Sequence, residues 1–159
     1  MAGTPSPQQQ LDFSIDKFTP EVAALGRRVL TRVREWLPGS VEFVYDNYYA
    51  LAIGFGPTER PSEAVLSVVL YPRWVHLYFL QGAVVPDPSG LLKGAGKVGR
   101  HLVLHDDATL DRPEVRALID DAVALADSPF DPRRPRKLLI RAVAEKQRAR
   151  RPAKRAARC

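Results

Sequence analysis

The sequence predicts an α+β fold: a small, mostly antiparallel five-stranded sheet with two main helices packed on one face, followed by a disordered basic C-terminal tail. Three observations predict it. Two segments repeat apolar residues every three or four positions, and between them lie five short runs that alternate or are β-branched. The links between those runs are short, which favours antiparallel neighbours. The composition changes at residue 131, beyond which the charged residues are almost all basic. A chain of 159 residues, 45% of them apolar, has the length and apolar content for one domain with extensions. The expected organisation is a disordered lead over 1–14, the α+β domain over 15–130, and a basic linker and tail over 131–159, partly helical or disordered.

The first helix is expected from Pro20 to Trp36. Thr19 is placed to cap it, Pro20 suits the first turn, and Val22, Leu25, Val29, Val33 and Trp36 form one apolar face. Pro38-Gly39 stops it. Val41, Phe43 and Tyr45 alternate along a first strand, and Tyr49, Leu51, Ile53 and Phe55 along a second, with small residues between them. Ala64 to Tyr71 and Trp74 to Leu80 read as strands joined by a tight hairpin at Pro72-Arg73. Arg100 to His105 is a short fifth strand. Asp111 and Glu114 form a capping-box-like start to a closing helix that carries Val115, Leu118, Ile119, Ala122 and Val123. Beyond it, Leu138 to Val143 suggests a short helix with a narrow apolar stripe.

Residues 1–132 hold 12 basic and 17 acidic side chains, a net charge of −5, whereas residues 133–159 hold 12 basic and one acidic, a net of +11. The overall +6 therefore belongs to the C-terminal segment. Arg148, Arg150, Arg151, Lys154, Arg155 and Arg158 lie within eleven residues, a pattern that binds nucleic acid or another polyanion through counterion release. No apolar run approaches the ~20 residues of a membrane span. The N-terminal lead lacks the basic and apolar regions of a secretory signal. The single cysteine, Cys159, permits no internal disulfide. Together these predict a cytoplasmic protein.

Leu70 to Val123 contains Trp74, His76, Leu77, Tyr78 and Phe79, followed by Leu91, Leu92, Gly94, Gly96, Lys97, Arg100 and His101. In this arrangement the chain resembles the YdhG-like family of domains of unknown function, over roughly residues 15–127. Many members carry a Y-G-M-P-like turn after the first strand, where this chain has Tyr45-Asp46-Asn47-Tyr48. The resemblance implies a compact α+β domain, in a family for which no catalytic residue is established. Some members are labelled frataxin-like iron chaperones, which implies iron as a possible cargo.

Three candidate sites follow. The first is the basic tail on nucleic acid. The second, from the iron label, is the acidic stretch Asp106, Asp107 and Asp111, whose hard oxygen ligands suit iron; no other cofactor is predicted. The third is the glycine loop with Lys93, Gly94, Gly96, Lys97, Arg100 and His101, which can present cations and backbone N–H groups to a small anion. Its G-x-G-x-x-G spacing through Gly99 lacks the flanking strand and helix of a dinucleotide site. His101 and His105 on one strand stand roughly 13 Å apart, too far to share a metal, although His76 can approach one of them across the sheet. Ser67 has no His–Asp partners in the pattern and there is no G-x-S-x-G elbow, so a non-enzymatic role is expected. The aromatics Tyr45, Tyr48, Tyr49, Tyr71, Trp74, Tyr78 and Phe79 pack the core or form a stacking platform on the helix-free face.

Overall fold

The computed structural model describes residues 3–152. It has three helices, α1 (Pro7–Ile15), α2 (Pro20–Trp36) and α3 (Pro113–Ala124). Six strands, β1 (Val41–Asp46), β2 (Leu51–Gly56), β3 (Leu66–Leu70), β4 (Val75–Phe79), β5 (Arg100–Leu104) and β6 (Lys137–Val143), form one sheet in the order β5-β4-β3-β2-β1-β6. The first five strands are an antiparallel meander, as the short links among β1 to β4 favour, and β5 returns beside β4 after the longer loop over residues 80–99. β6 pairs with β1 in parallel, so the sheet is mixed.

The α+β class is as expected, and four details differ. The sheet has six strands rather than five. Leu138–Val143 is a strand and not a helix, because Leu138 and Ile140 point at the main core and Leu139 at the opposite face, which is a period of two. Residues 7–14, expected within a disordered lead, belong to α1 (Pro7–Ile15). Ser6 and Gln9 close a reciprocal capping box, Pro7 takes the first turn, and Leu11 and Ile15 enter the core. The expected capping box at Asp111 is also replaced. A 3-10 helix over Asp107–Asp111 is capped by Asp106, and α3 begins only at Pro113 with no side-chain cap.

α2 forms for the reasons the sequence gives: Thr19 accepts from the Val22 N–H, and Val22, Leu25, Val29, Leu30 and Val33 are buried. All three helices lie on one face of the sheet. Their apolar sides share a single core with Val44, Leu51, Ile53, Phe55, Leu66, Val68, Leu70, Leu77 and Phe79. A much smaller cluster, Val41, Phe43 and Ala64 with Tyr45, Leu80 and Leu139, marks the other face, which carries no α-helix among the described residues. Gly39 makes the α2–β1 turn at φ +80°, and a Cβ there would meet the Asp131 carbonyl oxygen at 1.9 Å.

Two buried carboxylates at the ends of β1 fix β6 in place. Glu42, fully buried, receives both nitrogens of the Arg34 fork at 2.9–3.2 Å and Arg136 at 3.1 Å. Asp46, also buried, receives Ser14 Oγ at 2.8 Å, Lys17 Nζ at 2.7 Å and Arg150 Nη2 at 2.7 Å. Arg136 and Arg150 flank β6 at its two ends. The acidic domain and the basic segment attract each other as their charges predict, and they meet at two desolvated points.

Candidate functional site

On the open face, the strand period and register set side chains in rows. Phe43, Gly54, Ser67, Tyr78 and His101 stand opposite one another across β1 to β5. Tyr45, Ala52, Val69, His76 and Val103 form the next row. Small residues occupy the middle strands and rings stand on the outer ones. The result is a trough of about 360 Å³ over β2 and β3, with Ala52, Gly54 and Ser67 on its floor and Tyr45, Tyr71 and Tyr78 on its walls.

A file of rings crosses one side of this face. Tyr49 and Tyr71 lie 5.6 Å apart between centroids, Tyr71 and His76 4.8 Å, and His76 and His101 4.4 Å with planes only 6° from parallel. Burial, with the neighbouring His101, pushes His76 down to about 4, and burial with Lys93 lowers His101. Burial and the adjacent Tyr49 and Tyr78 raise Tyr71. These shifts favour the neutral forms of His76, His101 and Tyr71. The parallel imidazoles direct their in-plane lone pairs side by side, which does not suit a shared metal at ~2.0–2.1 Å. His76 and His101 do meet across the sheet as the strand pairing allows, and His105 lies exposed beyond β5.

After β6 the chain becomes a strap across the ends of β1 and β2. The Ala144 N–H donates to Asp46 O at 2.8 Å, Gln147 Nε2 to the same oxygen at 3.3 Å, and the Arg148 N–H to Tyr48 O at 2.6 Å. Arg150 is 3% exposed, packs over the Phe18 ring at 5.2 Å and is paired with Asp46. Desolvation pushes the Asp46 carboxyl up, but Lys17, Ser14 and Arg150 outweigh it and hold the group below the usual carboxylate range. Arg151 donates to Asp16 O at 3.2 Å. The strap thereby carries Arg148 and Arg151 to a cavity of about 870 Å³ beside Tyr49, Tyr71 and His76. Arg73 and Trp74, from the β3–β4 turn, complete its lining, and Trp74 is 48% exposed. Among the described residues, the Arg73 and Arg148 side chains make neither an ion pair nor a hydrogen bond of their own. Tyr71 lines both this cavity and the trough.

The three expected sites fare differently. Of the tail residues, Arg148 and Arg151 are exposed at the cavity. Arg150, expected to contact nucleic acid, is instead a buried structural arginine, because Asp46 provides a desolvated partner. Lys154, Arg155 and Arg158 lie outside the described residues. Asp107 and Asp111 pair with Arg28 and Arg32 of α2, while Asp106 caps the 3-10 helix through the Ala108 N–H. These acids tie α2 to the segment before α3, and among the described residues no group of three or more His, Cys, Asp or Glu side chains converges as a metal site. In the glycine loop, Lys93 and His101 exchange backbone hydrogen bonds, and Arg100 donates to the Gly96 and Gly99 carbonyls. The Leu91 and Leu92 N–H groups just before it donate to the Asp87 carboxylate at 2.9 Å. Lys93 and Lys97 remain exposed, Gly94 sits near the His101 ring, and Gly99 lies against the Tyr78 hydroxyl. The loop borders the aromatic face.

Sequence reasoning missed Arg73 and the convergence of the strap on the ring file. The signal for the strap was Asp46, a carboxylate at an inward strand position that needs a buried cation.

The fold and this surface define a single-sheet α+β domain with one helix-covered face and one open, ring-lined face with a cationic mouth. No family model, no curated protein and no solved structure matches the chain.

Proposed function

We propose that the protein is a non-catalytic binding domain for single-stranded nucleic acid, with its C-terminal segment supplying phosphate contacts. One observation carries the reading: the strap sets Arg148 and Arg151 on the rim of the same cavity as Tyr49, Tyr71, Trp74 and His76. Uncharged rings stack on bases whatever their identity, and guanidinium groups pair with phosphate oxygens bidentately. A duplex hides its base faces, so an aromatic floor favours single strands. Residues 70–123, which resemble YdhG-like domains, provide Tyr71, Arg73, Trp74 and His76. The proposal thus places one function in the family-like part and the basic segment together.

Fluorescence anisotropy with a labelled oligothymidine at several salt concentrations tests it. Contacts from Arg73, Arg148 and Arg151 give a slope of log K against log salt of about −2, and Arg148→Ala with Arg151→Ala brings it to about −1. Equal affinity and slope in the wild type and the double variant remove the strap from the site.

A further inference from the structure

We propose that the trough over β2 and β3 is a seat for one nucleobase-sized heteroaromatic ring, entering from the arginine-lined cavity with its phosphate left at Arg148 and Arg73. The inference rests on the nucleic-acid-binding reading above and adds to it a ring-accepting subsite of defined position.

The argument begins with Gly54. Glycine inside a strand costs roughly 0.5–1 kcal/mol relative to alanine, so a strand glycine calls for a reason. Gly39, in a turn, has one in its positive φ, and Gly56, the other glycine of β2, has one in its tight packing, since a Cβ there would lie 3.1 Å from the Ala64 Cα. Gly54 has neither. Its φ is not positive, and an added Cβ would find only ordinary contacts, 3.8 Å from the Ala64 and Phe43 Cβ atoms and 3.9 Å from Leu66 O. The backbone and the packing both accept a side chain there. What a side chain would remove is the open space of the trough floor, which Ala52 and Ser67 also leave low.

The walls fit the same occupant. β1 and β4 lie three strand spacings apart, roughly 14 Å between backbones, and Tyr45 and Tyr78 lean over that gap. The volume of about 360 Å³ is at the small end of ligand pockets, ring-sized rather than chain-sized. The floor is apolar apart from the Ser67 hydroxyl, and the tyrosine walls offer further hydroxyls to ring nitrogens and exocyclic groups. Tyr71 belongs to the trough and to the cavity, so a ring in the first and a phosphate in the second belong to one ligand. A free nucleotide and a nucleotide within a strand share this chemistry.

Two experiments test the subsite. In the first, anisotropy compares an oligodeoxyadenosine with an abasic strand of equal length at equal salt. The base-bearing strand is expected to bind roughly tenfold tighter, and Gly54→Val is expected to shrink that preference to what stacking beside Trp74 supplies while leaving abasic binding in place. Equal binding of both strands by the wild type overturns the subsite and leaves polyanion binding standing. No binding of either strand overturns both. In the second, which needs no variant, methyl NMR signals of Ala52 and Val69 are followed on adding adenosine 5′-monophosphate or ribose 5-phosphate. Ring-current shifts with the nucleotide alone support a ring in the trough and show that a free nucleotide suffices. Unmoved trough methyls, with shifts confined to the Trp74 side, overturn it. Shifts that require the full strand assign the seat to nucleic acid rather than to free nucleotide.

Discussion

Asp46 shows how much one side chain organises here. It ends β1, faces the helix side and draws Ser14 and Lys17 from the N-terminal region and Arg150 from the C-terminal strap. A buried pair contributes little over an apolar substitute, but removing one partner strands the other charge. Asp46→Asn is therefore expected to cost about 3–5 kcal/mol, read as a lower urea midpoint with an unchanged slope. A loss below about 1 kcal/mol would mean that Arg150 finds water instead. The second residue-scale prediction concerns His76. Its folded value of about 4 lies below the ordinary 6.5 of a free imidazole. Between those values the unfolded chain binds more protons than the folded one, so stability is full above pH 6.5 and falls as pH drops toward 4. His76→Phe should flatten the decline in urea midpoint between pH 7 and 5, after the carboxylate contribution common to both proteins is subtracted. An unchanged decline would place the acid sensitivity elsewhere.

At the scale of elements, β6 changes the meaning of the basic segment. A chain ending at Pro132 loses β6, bares the edge of β1 and leaves Glu42 and Asp46 without Arg136 and Arg150. It is expected to melt well below the full chain or to self-associate through the exposed edge, as circular dichroism and size-exclusion chromatography would show. A monomer with the full chain's melting temperature would contradict the clamp account. The strands β1 to β5 and α2 were legible because each carries its own periodicity and its own punctuation, such as Thr19-Pro20 and Pro72-Arg73. β6 was not, because Leu138, Leu139 and Ile140 form a continuous apolar run, which looks alike in a short helix and in a strand buried on both faces. Its pairing is set by Val41–Asp46, about a hundred residues earlier, and no local signal reports that. α1 escaped for a related reason: its Ser6–Gln9 capping box was present, but only two of its apolar residues, Leu11 and Ile15, reach the core.

At the scale of the molecule, the sheet separates stability from recognition. Helices and both ion clusters lie on one side, and rings with small floor residues lie on the other. The charge split in the sequence foretold that the C-terminal segment matters. It did not show that the segment divides its arginines, with Arg136 and Arg150 turned inward and Arg148 and Arg151 turned to the cavity. Alternation along β4 placed His76 and Tyr78 on one face, yet which face stays bare depends on where the helices settle. No helix among the described residues is long and apolar enough to cross a membrane. The account's central claim is that bases stack where the strap meets the ring file. Trp74 stands at that point, half exposed, while Trp36 lies on the helix side bonded to Asp120. In a Trp36→Phe background, oligothymidine should quench Trp74 emission in step with binding measured by anisotropy. Salt-sensitive binding that leaves Trp74 emission unchanged would contradict the claim.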